Sequence, residues 1–390
     1  MRIVLFAGGG GAGRTAVAAA TAVHAARQGY RPLLLGSGND LWRTLALSPS
    51  ERPVALDGGP VVEGVDARRE LSARRPALDR WLRALLGRFA ADEILPGDVV
   101  ALLPTLGDAL TLATMAQRAY GRGHDLLVVD GPPLADLPAM LTLLDGATGD
   151  SALPTEFSAL RLARPLVARL AGLPTPDPDA DVELRALAGG LRRAASLLAG
   201  ADAVVRLVCP PEPLPLARTH AAYGGVRLCG FHVDEIVVNR VFPRDETGSA
   251  VSEWRRGQMA AIAEARPRLA PAHLRPAPYV APPLVGWDAL AALGRQIYCD
   301  ADPAAEMAPR PRTGLAPNDD GPGWSLRLAA APLLDDLAVT QRGDTIAVRL
   351  GAYRRTVALP AELSGAPCVG ARLEGAALWL RFGVPHTSHQ

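Results

Sequence analysis

Short apolar runs alternate along this chain with longer segments in which apolar residues recur at helical spacing, a pattern that predicts strands and helices taken in turn. Residues 3–7 read Ile-Val-Leu-Phe-Ala, Gly8 to Gly11 follow without interruption, and residues 16–27 are rich in alanine. This predicts a strand, a glycine bend and a helix. Apolar runs at 31–35, 125–129, 203–208 and 235–241 predict further buried strands. Helical spacing is carried over 66–95 by Leu71, Leu78, Trp81, Leu82, Leu85 and Leu86, and a second amphipathic segment covers 110–120.

From 153 to 199 the pattern is helical with a break at 174–178. Phe157, Leu160, Ala163, Val167 and Leu170 precede the break, and Leu184, Leu187, Leu191, Leu197 and Leu198 follow it. These stripes are either core or a groove for an apolar client helix. Residues 286–298 predict a closing helix, and 300–323 are dominated by Pro, Ala, Gly, Asp and Asn, the composition of a linker. Beyond it the period changes to two: Trp324, Leu326 and Leu328, then Leu337 and Val339, then Ile346, Val348 and Leu350, then Leu378, Leu380 and Phe382. Turn pairs Gly343-Asp344 and Glu374-Gly375 complete a small all-β sandwich. The expected organisation is an α/β domain over 1–300 with a mostly parallel sheet and a helical subdomain near 134–200, a linker over 301–322, and the sandwich over 323–384.

Composition narrows the partners. The chain has 390 residues, is 49% hydrophobic and carries a formal net charge of +1. No basic block with interleaved aromatics is present, so nucleic acid is not an expected partner. The most apolar long window, 99–116, contains Pro104, Gly107 and Asp108 and does not read as a bilayer span, so stable membrane insertion is not expected either. The first residues are too short an apolar run for a signal-peptide core. Cys209, Cys229, Cys299 and Cys368 form no C-x-x-C pair, which argues against zinc and for free thiols in a cytoplasmic protein. All 41 basic residues are arginine, since the sequence holds no lysine, and Schiff-base chemistry is therefore excluded.

Residues 8–15 follow the phosphate-loop spacing G-x-x-x-x-G-K-[ST], with Arg14 where the lysine belongs. Gly10, Gly11, Ala12, Gly13, Arg14, Thr15 and Ala16 are the candidate contacts for the phosphates of ATP or ADP, with Thr15 a candidate Mg2+ ligand. Arginine neutralises phosphate through a larger planar fork than an ammonium, so binding can survive where hydrolysis does not. The alternative is a glycine-rich turn with no ligand. Asp130 ends an apolar run before Gly131-Pro132-Pro133, the place for a carboxylate that acts on Mg2+ through water. Asp40 either orients an attacking water or caps the segment 41–47. Asn239 ends the run at 235–241 and offers a donor and an acceptor to a purine edge, or simply begins a turn.

Taken together these residues resemble the arsenical-pump and tail-anchored-protein-targeting ATPases, P-loop NTPases of the SIMIBI class. That family's K-G-G-x-G-K-T loop falls on 9–15, its switch-two segment on 130–136, its Pro-Glu pair on Pro211-Glu212, its adenine-contacting asparagine on Asn239, and its last loop on Pro282-Pro283-Leu284. The resemblance adds Pro282 to the nucleotide contacts. Residues 343–378 resemble the α-crystallin, or small-heat-shock-protein, fold, which a subgroup of the targeting ATPases carries. The resemblance implies a homodimer, or a heterodimer with an intact paralogue, that sequesters an apolar or amphipathic client segment under nucleotide control. Departures matter: the family's interface-crossing lysine falls on Gly9, its phosphate-loop lysine on Arg14, its switch-one motif has no clean counterpart, and its zinc-forming cysteines are missing. A pseudo-ATPase that acts as a scaffold is the alternative reading.

Overall fold

Strands that are apolar on both faces need cover on both faces, and the chain supplies it with helices. The computed structural model describes residues 1–81, 84, 106–121, 123–148, 177–244, 249–281, 284–310, 314–317, 324–329, 337–374 and 377–383. The expected helical positions 85–95, the stripe from Phe157 to Leu170, and Pro282 lie outside them.

In chain order the main domain runs β1 (Arg2–Gly8), α1 (Arg14–Arg27), β2 (Pro32–Ser37), α2 (Asp40–Thr44), β3 (Val54–Ala55), β4 (Val61–Val65), α3 (Ala67–Arg74) and α4 (Leu106–Arg118). It continues through β5 (Leu126–Pro133), α5 (Leu137–Thr148), α6 (Pro178–Ala199), β6 (Ala203–Cys209), α7 (Pro213–Leu228), β7 (Val233–Val241), α8 (Ser249–Leu269), β8 (His273–Pro278) and α9 (Trp287–Tyr298). Eight strands form one sheet in the order β3-β4-β2-β5-β1-β6-β7-β8, parallel except for the pairing of β3 with β4. Ile3, Leu5 and Ala7 of β1 face one core, shared with residues of α4, α5, α6 and α7. Val4 and Phe6 face the other, shared with α1 and α9. The central strand is thus sealed on both sides, and the loops at the carboxyl ends of β1, β2, β5, β6 and β7 gather at one rim, where open α/β sheets place their ligands.

Packing decides between groove and core for the described half of the helical stripe. Leu187, Leu191 and Leu198 of α6 are buried in the first core, and Leu184 and Leu197 pack against it. That face is not available to a client, so of the two readings the described half of the stripe takes core.

The opposite rim holds a departure from expectation. Residues 301–310, linker-like in composition, form a strap bound to the sheet. Arg206 of β6 is fully buried, pairs with Asp234 at 3.2 Å and Glu235 at 3.5 Å, and donates to the carbonyls of Pro303 at 2.7 Å and Ala305 at 2.9 Å. Asp234 also accepts the Met307 amide at 3.2 Å, and His232 Nε2 lies 3.0 Å from the Ala308 carbonyl. A segment whose apolar side chains are mostly small is held here largely by its backbone polar groups, which composition does not reveal.

The carboxyl-terminal unit contains β9 (Gly314–Pro317), β10 (Trp324–Ala329), β11 (Leu337–Arg342), β12 (Thr345–Leu350), β13 (Tyr353–Ala358), β14 (Cys368–Glu374) and β15 (Ala377–Phe382). An antiparallel sheet in the order β14-β15-β10-β9 faces a three-stranded one in the order β11-β12-β13. The sandwich docks on the main domain by exchanging side chains. Tyr353 of β13 is buried in the main core, and Leu228 at the end of α7 is buried in the sandwich core with Ile346, Val348 and Leu380. A Cβ at Gly225 would overlap the Tyr353 ring, so glycine is required for this close approach. Asp145 Oδ2 accepts the Thr356 amide at 2.8 Å, and Arg355 Nη1 donates to the Leu228 carbonyl at 2.7 Å.

Candidate functional site

At the loop-bearing rim, β1 ends at Gly8, whose place beside Val208 leaves no room for a side chain: a Cβ there would stand 2.9 Å from the Val208 carbonyl oxygen. The chain then turns through Gly11 at φ 71° and Gly13 at φ 85°, left-handed conformations that favour glycine, and enters α1 at Arg14. The space a side chain would fill at Gly10 and Gly11 is open, and the first turn of α1 carries no acidic residue. The result is a concave run of backbone at a helix N-terminus, suited to an anion.

Asp130 is the hub of the site. Phe6 and Gly36 flank it in register on β1 and β2, and it is 2% exposed. Arg14 Nε donates to Asp130 Oδ1 at 2.6 Å, and the Thr15 hydroxyl donates to Oδ2 at 2.7 Å. Both carboxylate oxygens are therefore taken by the phosphate loop itself. The pair uses Nε of Arg14 rather than its terminal nitrogens, and the side chain is 20% exposed. After Asp130 the chain is tied back to the loop by the Leu134 amide, which donates to the Gly8 carbonyl at 3.0 Å.

Asn239 lies on the other flank. Its Nδ2 donates to the Ala12 carbonyl at 2.8 Å, and a Cβ at Gly13 would overlap it. The residue is 6% exposed and braces the phosphate loop. The next residue, Arg240, has φ 67°, a conformation unusual for a residue with a side chain, and there β7 leaves its regular pairing with β8.

The structure brings Gly10, Gly11, Ala12, Gly13, Arg14, Thr15, Ala16, Asp130 and Asn239 to one place. Asp40 stands apart: it is the first residue of α2 rather than its cap, its side chain is 82% exposed, and it lies 3.7 Å from Arg43. The helix-cap reading is thereby corrected, since the residue at the cap position is Asn39 and makes no side-chain capping bond.

One residue of the site went unread. Asp108, in the first turn of α4, is 7% exposed and lies near the Ser37 side chain at the end of β2. Burial pushes its carboxyl up to about 6; Asp136 and Asp130 push the same way, while Arg14 and Ser37 oppose. Its sequence signal was an isolated charge in the apolar window 99–116, which served only to exclude a membrane span. A lone carboxylate inside a buried helical stretch is itself a site candidate.

The fit to a nucleotide and Mg2+ can be tested on these atoms. An open glycine cradle, a helix N-terminus, and a threonine hydroxyl beside a buried aspartate are the donor set a Mg2+-bound phosphate chain requires. The residues fit. Phosphates would lie on 10–16, with Mg2+ near Thr15 and Asp130. The thiols show no comparable set: burial pushes Cys209 and Cys229 up to about 12, and no metal-holding group of His, Cys, Asp or Glu occurs among the described residues. No helix among the described residues is long and apolar enough to cross a membrane.

The whole chain finds counterparts among known proteins. It is 33% identical to an uncharacterized protein of Streptomyces coelicolor over 98% of this chain and 97% of that one. It is 26% identical to a candidate arsenical pump-driving ATPase of Aquifex aeolicus, over 93% of this chain and 95% of the relative. A candidate arsenical pump-driving ATPase of Chlorobaculum tepidum is 24% identical over 94% of this chain and 92% of its own length. The profile of the HSP20-like domain found in ArsA matches residues 319–382, and that of the anion-transporting ATPases matches 1–299. With its parallel sheet, phosphate loop and appended sandwich, the chain belongs to the ArsA family of anion-transporting ATPases.

Proposed function

We propose that this protein is a cytoplasmic, dimeric, nucleotide-switched chaperone or targeting factor that binds ATP and Mg2+ at the phosphate loop. The observation that carries the reading is the pairing of Thr15 and Arg14 with Asp130 beneath an open glycine cradle. A bound phosphate would compete for Arg14, and a bound Mg2+ for the Thr15 hydroxyl, so ligand binding would release Asp130 and the segment tied to it. That segment leads into α5, whose Asp145 holds the HSP20-like sandwich. Support for a client role comes from the sandwich, since the described face of α6 is used in the core.

The same ion pair favours a second reading. Arg14 is already committed to Asp130, and Gly9 stands where the family resemblance places an interface-crossing lysine. A pseudo-ATPase that keeps the fold as a scaffold, or as the inert half of a heterodimer, would look like this. Titration with a fluorescent ATP analogue, run beside a phosphate-release assay, separates the two. Micromolar binding with slow turnover supports the switch, while absence of both leaves the scaffold. Arg14→Lys combined with Gly9→Lys should raise turnover if the missing ammonium groups limit the rate.

A further inference from the structure

A left-handed backbone is costly for a residue with a side chain and persists only where its surroundings hold it, and Arg240, at φ 67°, is such a residue beside the phosphate loop. Val238 is the last residue of β7 in register with both β6 and β8 before the pairing is interrupted. Asn239, whose Nδ2 holds the Ala12 carbonyl at 2.8 Å, lies just beyond it. Upstream, the sheet fixes Asn239; downstream, it depends on the turn from Arg240 to Phe242. Opposite this turn β8 presents Pro276 and Pro278, which carry no N–H, and the Tyr279 amide goes to the Val241 carbonyl at 2.8 Å. The helix α8 supplies the remaining partners. Gln258 Oε1 accepts the Phe242 amide at 2.9 Å and its Nε2 donates to the Arg240 carbonyl at 3.1 Å, so one side-chain amide answers two backbone groups of the turn. Arg255 adds a bond to the Phe242 carbonyl, and the Phe242 ring stacks on Trp254 of the same helix with centroids 5.8 Å apart.

We propose that Gln258 is a positioning residue for the phosphates of the bound nucleotide: it holds Arg240 in its left-handed conformation and, through the adjoining Asn239, keeps the phosphate loop in the open shape that receives them. Each link is a bond or a contact. Gln258 holds the Arg240 carbonyl, Arg240 is joined to Asn239 by a peptide bond, and Asn239 holds the Ala12 carbonyl beside Gly13, where a Cβ would overlap its amide. Gln258 acts through these residues and not on the ligand itself. Because the donor of Asn239 is spent on the loop, the brace serves the phosphate end of the ligand rather than its base. A glycine at 240 would take the same φ without cost, so the need for the clamp follows from the arginine that stands there.

This assignment rests on the ATP-binding reading above, and the test separates the two. Affinity for a fluorescent ATP analogue, its displacement by tripolyphosphate, and the urea midpoint are measured for the full-length protein, Q258A, R240G and the double variant. Q258A should bind the analogue about 10-fold more weakly, as the competent turn falls to about a tenth of the population once the cost of the left-handed residue is no longer offset. Tripolyphosphate should weaken by the same factor, since it offers phosphates and no base. R240G should bind within about 2-fold of wild type, and the double variant should recover to within about 3-fold, because glycine adopts this φ without the clamp. A glutamine that serves stability alone would lower the urea midpoint of Q258A and leave affinity unchanged, and that result overturns the assignment. A double variant as weak as Q258A overturns it, as does a loss in Q258A confined to the ATP analogue. Loss in R240G alone would transfer the effect to the guanidinium and overturns it too. Wild-type protein that binds the analogue with Q258A its equal refutes Gln258 while leaving nucleotide binding intact; wild-type protein that binds none refutes both.

Discussion

Two arginine–carboxylate pairs flank the central strand, with Asp130 on one side and Arg206 on the other both in register with Phe6, and they differ in what else each arginine does. Arg206 is fully buried between Asp234 and Glu235, and its guanidinium also donates to the carbonyls of Pro303 and Ala305. Arg14 makes one bond through Nε, is 20% exposed, and stands at the edge of an open glycine cradle. Desolvating an ion pair is costly unless further hydrogen bonds satisfy its remaining donors. Arg206 meets that condition for its own donors, although Glu235 Oε2 beside it accepts no hydrogen bond, and it holds the strap of 301–310 to the sheet. Arg14 engages its carboxylate through Nε and keeps the rest of a partly exposed fork at the edge of the cradle. Completeness of hydrogen bonding, more than charge, separates the structural arginine from the functional one.

The largest effect expected from breaking this contrast is at Arg206. Arg206→Met leaves Asp234 and Glu235 as buried charges with a partner gone, and should destabilise the protein by about 3–5 kcal/mol. Arg275, which also pairs with Glu235, limits the loss to that range. Arg14→Met should cost only about 1 kcal/mol, because Asp130 keeps the Thr15 hydroxyl and the pair is partly exposed. Urea unfolding of both variants checks the ratio, and equal losses would erase the distinction. Next in size is the docking of the sandwich. Gly225→Ala drives a methyl into the Tyr353 ring and should cost about 1–3 kcal/mol, the usual penalty for overpacking. Calorimetry should then show the two domains melting apart where wild type melts as one; a single unchanged transition would mean that Tyr353 does not secure the interface.

Much of this architecture was legible because the sequence patterns and the packing agree. Runs 3–7, 203–208 and 235–241 became central strands, and the two-residue alternation after 324 became the sandwich. What was missed has local causes. β8 carries Pro276 and Pro278, residues that suit an edge strand but argue against one in a sequence. In α7 the helical period is blurred by Pro213 and Pro215 at its start and by Gly224 and Gly225, the second of which exists to admit Tyr353. At the site, spacing marked the phosphate loop, the ends of two apolar runs marked Asp130 and Asn239, and the family resemblance joined the three. Asp108 was hidden because its neighbours, Ser37 and the β5 segment, are distant in sequence and meet it only through the order β2-β5-β1. A carboxylate delivered from a helix has no spacing signature relative to loops distant in sequence.

The smallest expected effect sharpens the contrast from the strap side, through pH. His232, whose Nε2 lies 3.0 Å from the Ala308 carbonyl and 3.2 Å from Glu306, is held below the ordinary histidine value. Burial is the main cause and Arg310 adds to it, while the Ala308 bond, Glu306 and Asp234 oppose. His24 and His220 are lowered too, again chiefly by burial. In the unfolded chain these side chains take up protons near pH ~6.5, whereas in the folded protein they do so only at lower pH. Between those values the unfolded state binds more protons, so stability is complete above about pH 6.5 and declines as pH falls. Asp108 works in the opposite sense, its raised carboxyl favouring the folded state as pH drops through about 6, and it therefore blunts the decline at the acid end. Urea midpoints measured from pH 8 down to 6 should fall modestly, and less in His232→Gln than in wild type. An identical slope in the two proteins would mean that His232 does not contribute to the pH dependence, leaving the arginine pair and the backbone bonds as what holds the strap.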